Sequence, residues 1–163
     1  MKTAASSPAT FLRHALAACA VVLAPLGAAF AQQTAAANDP LAAAAAEKGA
    51  VVTPSGLVYL ALKEGQGASP GASDTVRVHY RGRFPDGREF DSSYSRGQPA
   101  SFPLNRVIRC WTEGVQRMKV GGKAKLTCPP AIAYGERGAG GVIPPNATLQ
   151  FEVELLGVSK GAS

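Results

Sequence analysis

With 163 residues, the chain has room for one domain with a real core; its formal charge of +6 is too mild to argue by itself for nucleic acid, and its two histidines exclude a histidine-rich metal site. Alanine dominates the first fifty residues, whereas tyrosine and most of the valine, glycine and charge come after them. That imbalance reads as one folded domain behind an N-terminal extension.

Residues 1–31 have the pattern of an export signal. Lys2, Arg13 and His14 make a basic start, Ala15 to Phe30 is an apolar run interrupted by Pro25 and Gly27, and Ala29-Phe30-Ala31 is a small-x-small cleavage site. The run is too short for a stable bilayer span. Leu16-Ala17-Ala18-Cys19 resembles a lipobox, but the apolar stretch before the cysteine is too brief and continues past it, so cleavage after Ala31 is expected over a lipoprotein or an uncleaved anchor. The expected product is periplasmic or secreted, with no membrane span. Cleavage would take Lys plus Arg from 17 to 15 against 11 acids, leaving +4, and would remove Cys19 so that two cysteines remain.

Residues 32–54 are low in complexity and carry no aromatic side chain. Ala42 to Ala46 can form a turn or two of helix capped at Asn38 or Asp39, with too little apolar bulk to pack firmly. The expectation is a flexible linker, with a small dimerisation helix as the alternative.

The folded domain, expected over 55–160, opens with a short apolar strand, Leu57 to Lys63. Asp74 to Phe84 alternates strictly, with Val76, Val78 and Tyr80 on one face and Arg77, His79, Arg81 and Arg83 on a solvated one. Phe84-Pro85-Asp86-Gly87-Arg88 predicts a hairpin turn and Glu89-Phe90-Asp91 the return strand. Ser92 to Pro99 is a wide polar loop from which Tyr94 and Arg96 can reach a ligand. Ser101 to Leu104 is extended and leads into a helix, with Asn105 as its expected cap.

Over Val107 to Met118, the residues Ile108, Trp111, Val115 and Met118 recur at spacings of three, four and three, the stripe of a single short helix. Lys123 to Cys128 alternates again, with Ala124, Leu126 and Cys128 inward. Ala133 to Pro145 is rich in glycine and proline around Tyr134, Val142 and Ile143, the composition of a lip over a binding site or of a loop tucked onto the core. Leu149, Phe151, Val153 and Leu155 mark a final strand. One amphipathic helix among strands calls for a curved antiparallel sheet wrapped around it, an α+β fold with a hollow floored by Trp111.

Familiar catalytic sets are missing. After signal removal only His79 remains, which rules out a histidine triad or paired zinc ligands, and the two cysteines lack CxxC spacing. What remains is an apolar hollow with one carboxylate, Asp91, and one phenol, Tyr134. Such an inventory suits binding and reshaping a peptide.

The motifs Val78-His79-Tyr80-x-Gly82, Asp86-Gly87-x-x-Phe90-Asp91-Ser92-Ser93, Val107-Ile108-x-x-Trp111-x-Glu113-Gly114, Ala133-Tyr134-Gly135 and Ile143-Pro144-Pro145-x-Ala147-Thr148-Leu149 resemble the FKBP-type peptidyl-prolyl cis-trans isomerases, as an exported bacterial member. The resemblance spans about residues 56–158. It implies a pocket of Tyr80, Phe90, Asp91, Arg96, Phe102, Val107, Ile108, Trp111, Tyr134, Val142, Ile143 and Phe151, with Asp91, Tyr134, Trp111 and Ile108 closest to the chemistry. Ala100 stands where many members carry a bulky aromatic, and Cys110 replaces the glycine usual before Trp111.

The implied activity is isomerisation of X-Pro bonds in unfolded or partly folded exported proteins, without metal or cofactor, and with macrolides such as rapamycin as ligands of the same pocket. The alternative is a chaperone that holds such chains in the groove while isomerisation is incidental; a small all-β ligand carrier would instead need a closed cavity.

A final expectation rests on this chain's own cysteines. Export to an oxidising compartment leaves one possible pair, with Cys128 inward on its strand and Cys110 at the flank of the Trp111 stripe, so a Cys110–Cys128 disulfide is expected over two separate buried thiols.

Overall fold

The computed structural model describes residues 39–161, so the expected export signal lies outside the described residues. Seven strands form one antiparallel sheet: β1 (Val51–Val52), β2 (Val58–Lys63), β3 (Thr75–Arg83), β4 (Glu89–Ser92), β5 (Ala100–Pro103), β6 (Lys123–Cys128) and β7 (Leu149–Ser159). Their order is β1-β2-β6-β7-β3, and β4 and β5 share the remaining edge of β3, pairing with its end and its start respectively. Among the described residues two α-helices accompany them, α1 (Pro40–Ala45) and α2 (Arg109–Gln116). The fold is the expected antiparallel sheet with one principal helix, α2, against its apolar face. Among the described residues no helix is long and apolar enough to cross a membrane.

The alternation in β3 survives folding: Val76, Val78 and Tyr80 are buried, while Arg77 is exposed. Val115 of α2 belongs to one buried core with Leu126 of β6 and Val153 and Leu155 of β7, all fully buried. Gly114 permits this close approach, because a Cβ there would lie 2.8 Å from the Leu126 side chain. Cys110 and Cys128, joined by a disulfide with their Cα atoms 5.8 Å apart, tie α2 to β6.

The helix is shorter than its stripe. The backbone over Leu104–Arg106 makes a 3-10 turn, Val107 is extended, and α2 begins only after Ile108. Asn105, the expected cap, therefore sits in the turn, and Ile108 occupies the cap position with no side-chain hydrogen bond. The turn takes over the anchoring role: Thr112 Oγ1 donates to the Leu104 carbonyl at 2.6 Å, and the Leu104 N–H donates to Asp74 O at 2.9 Å.

The described part of the 32–54 segment corrects the expectation of a flexible linker. Asp39 caps α1 by accepting from the Leu41 N–H at 3.0 Å, and Ala44 is buried. The helix lies against β2 and β6, and Glu47 forms an ion pair with Lys125. Val51 and Val52 then pair with Tyr59 and Val58. Alanine's lack of bulk is what lets α1 approach the sheet closely, so small size counts for packing here and not against it.

The last strand runs to Ser159, beyond the alternation that marks it, and its end is latched. Asp74 accepts hydrogen bonds from the N–H groups of Gly71 (2.8 Å) and Gly161 (3.1 Å) and from Lys160 Nζ (3.0 Å). These bonds, that of Gly71 foremost, hold its carboxyl at about 2, against an ordinary 3.8.

Candidate active site

At one end of α2 the sheet and helix frame an open cavity of about 430 Å³. Its floor is Trp111, 4 % exposed, whose ring meets Tyr80, Phe102 and Phe151 edge to face at centroid distances of 5.2, 5.6 and 5.5 Å. Each partner arrives by the period of its strand: Tyr80 continues the Val76–Val78 row of β3, Phe102 comes from β5, and Phe151 from the inward row of β7. Phe90 of β4 closes a side wall. Its ring lies over Gly82, where a Cβ would come within 2.6 Å of it, so any larger residue at 82 would push that wall aside. Val107 and Ile108 form the wall at the start of α2, and Tyr134, 39 % exposed, stands on the Gly/Pro-rich connection.

The polar groups form a closed triangle. Tyr80 OH donates to Asp91 Oδ2 at 2.5 Å, Arg96 Nη1 donates to Asp91 Oδ1 at 2.5 Å, and Arg96 Nη2 donates to the Tyr80 oxygen at 2.8 Å. Burial pushes the Asp91 carboxyl up, but the hydrogen bonds from Tyr80 and Arg96 together outweigh it and leave the group below the ordinary carboxylate range. Burial, then the bond to Asp91, pushes the Tyr80 phenol up. At neutral pH Asp91 is thus an anion and Tyr80 a neutral donor. The Ile108 N–H, preceding the first helical residue, has no acceptor among the described residues and remains free to bind a ligand.

Ten side chains line the cavity, and most of the expected pocket is among them: Tyr80, Phe90, Asp91, Phe102, Val107, Ile108, Trp111, Tyr134 and Phe151. Three expected members are not. Arg96 lies outside the lining and acts on it through Asp91 and Tyr80. Val142 and Ile143 are adjacent in a tight turn in which the N–H groups of both donate to Ala139 O, at 3.1 and 2.9 Å. That turn buries Ile143 in the core and leaves Val142 58 % exposed, away from the wall.

Tyr94, expected to reach a ligand, instead stacks on His79 at 4.7 Å and donates to Glu154 at 3.2 Å. His79 is accordingly half-buried rather than solvated, with Nδ1 2.9 Å from Ser93 Oγ. Ala100 pairs with Val78 and lies outside the lining.

One lining residue is absent from the sequence reading, Arg106. Its position directly before Val107 is the signal the sequence offers, and the absence of a period across Leu104–Arg106 leaves its direction open. Among the described residues no three His, Cys, Asp or Glu side chains gather in a way that would hold a metal ion.

Comparison with known proteins fits this geometry. Residues 67–156 match the profile described as FKBP-type peptidyl-prolyl cis-trans isomerase. The chain is 56% identical over 126 residues to the FKBP-type peptidyl-prolyl cis-trans isomerase FkpA of Aeromonas hydrophila, covering 77% of this chain and 47% of that protein. It thus spans about half the length of the curated relatives it matches. The crystal structure of FkpA from Escherichia coli superposes with a TM-score of 0.75 at 48% identity, covering 81% of this chain and 62% of that one. A peptidyl-prolyl cis-trans isomerase from Pseudomonas syringae pv. tomato gives a TM-score of 0.70 at 39% identity, covering 80% of this chain and 92% of that one. With more than half of its residues inside the matched profile, and with the fold of these relatives, this chain belongs to the FKBP-type peptidyl-prolyl cis-trans isomerase family.

Proposed function

We propose that this chain accelerates cis-trans isomerisation of X-Pro bonds in unfolded or partly folded exported proteins, in the periplasm or outside the cell. The observation that carries the reading is an open aromatic hollow with a free backbone donor, Ile108 N–H, on one wall and a phenol, Tyr134, on another. Rotation about a peptide bond is opposed by about 18–20 kcal/mol, because resonance gives the C–N bond partial double-bond character. Resonance separates charge and is favoured by water, so moving the amide onto Trp111, Tyr80, Phe90 and Phe151 favours the twisted, less polar transition state. Each 1.36 kcal/mol removed from the barrier is worth about tenfold, so roughly 4 kcal/mol gives a thousandfold.

In this mechanism the proline ring rests on Trp111, and Ile108 N–H and Tyr134 OH hold substrate carbonyls. Asp91, already engaged by Tyr80 and Arg96, sets the orientation of the Tyr80 ring and keeps the wall in place. No covalent intermediate is required. The same hollow would take macrolides such as rapamycin as competitors.

The test is catalysed exchange of an X-Pro peptide measured beside suppression of aggregation of an unfolded protein. Exchange blocked by rapamycin is the expected result. Aggregation suppression with no acceleration of exchange would overturn the isomerase reading in favour of a holding chaperone.

A further inference from the structure

We propose that Arg106 makes this cavity select prolines flanked by an acidic residue. The inference rests on the isomerase reading and names a substrate class for it. Two charged side chains line the cavity, Asp91 and Arg106. The first is neutralised in place by Arg96 and held by Tyr80. The second is exposed and enters no ion pair among the described residues.

The carboxylate that could quench Arg106 from the adjacent helix is turned elsewhere. Glu113 accepts from Ser55 Oγ at 2.6 Å and pairs with Arg117 at 3.7 Å. On the Gly/Pro-rich connection beyond Tyr134, Glu136 and Arg137 follow each other in one short turn with opposite signs. Arg109, the first residue of α2, stands outside the cavity lining, where its charge acts on Glu113, so Arg106 alone supplies the cation of the mouth. The mouth of the cavity therefore carries the Arg106 charge, without an ion pair among the described residues, beside aromatic walls of low polarity, which focus its field on whatever enters.

The charge is also well placed. Arg106 ends the 3-10 turn that Thr112 and Asp74 pin through Leu104, and Val107 and Ile108, the wall that offers the free N–H, follow directly. A peptide whose proline sits on Trp111 and whose carbonyl meets Ile108 N–H thus carries a neighbouring side chain past the Arg106 guanidinium. A carboxylate there gains an ion pair; an ammonium meets repulsion.

The experiment uses acetylated, amidated peptides that differ only in Glu, Gln or Lys, placed before or after proline, with exchange followed without a protease. At low salt the kcat/KM ratio of Glu to Gln peptide should reach about threefold in one of the two positions, the scale of an exposed ion pair. It should collapse toward one at about 0.5 M salt, where screening acts over about 4 Å. Arg106→Gln should abolish the ratio and Arg106→Glu invert it in favour of Lys. Equal turnover of Glu and Gln peptides at both positions, or a ratio that persists in Arg106→Gln, would overturn the proposal. Failure to accelerate even the Gln peptides would overturn the isomerase reading itself.

Discussion

The cavity has walls of two physical kinds. Trp111, Tyr80, Phe102 and Phe151 come from regular elements and belong to the packed core as well as to the site. Tyr134 stands on an irregular connection held by backbone bonds: the Asn146 N–H donates to Gly135 O at 2.8 Å and the Ala139 N–H to Ile143 O at 3.0 Å. Gly138 is essential to that hold, with φ of 61° and a position where a Cβ would lie 2.2 Å from Ile143 O. Floor residues thus couple stability to activity, whereas lip residues bear on activity with little effect on the fold.

The strongest test of the contrast is Trp111→Ala. Truncating a buried Trp costs about 3–5 kcal/mol, so urea unfolding should shift heavily and peptide exchange should fail together with it. A folded variant with full exchange activity would show that Trp111 is not the floor of the site.

Next in size is the disulfide. Opening the Cys110–Cys128 bridge, across a separation of 18 residues, should remove about 3 kcal/mol, read as a lower denaturation midpoint in reductant. The double variant Cys110→Ala with Cys128→Ala should behave as the reduced protein does, while limited proteolysis of the lip stays unchanged. An identical midpoint with and without reductant would show that α2 is held by packing alone.

Acid separates two carboxylates that are both hydrogen-bonded but differently held. Each has a folded pKa below its unfolded value, so each contributes stability that is present above the ordinary 3.8 and is lost as pH falls through the lowered folded value. For Asp74 that window runs from 3.8 to about 2. Unfolding midpoints followed downward from neutral pH should fall through it, and Asp74→Asn should flatten the fall without lowering the neutral exchange rate per folded molecule. Asp91→Asn should flatten it less and also reduce exchange, because its partners are the side chains of the wall.

The smallest effect belongs to the lip. Tyr134→Phe removes one neutral hydrogen bond, about 0.5–1.5 kcal/mol, so kcat/KM should drop by roughly twofold to tenfold while the unfolding midpoint hardly moves. A large stability loss would mean that the lip is part of the core after all.

Much of this arrangement is legible in the sequence wherever a period exists. The alternation of β3, β6 and β7 and the three-four-three stripe of α2 each decide which side chains turn inward, because side-chain direction repeats every 2 residues in a strand and every 3.6 in a helix. From those faces follow the aromatic floor and the meeting of Cys110 with Cys128. The five ordered motifs add the identity of the wall residues.

Tertiary structure alone decides the rest. Val142 and Ile143 are adjacent apolar residues on a glycine-rich loop with no period, and only the Ala139 turn sends one into the core and the other into solvent. The start of α2 moves past Asn105 because Thr112 within the helix and Asp74, distant in sequence, stabilise a 3-10 turn there, and with that turn Arg106 comes to the cavity. Likewise α1 and β1 exist because β2 and β6 offer a surface on which small alanines and a two-residue strand fit. Local chemistry can assign a residue to a face, but which face meets which partner depends on contacts between segments far apart in the chain.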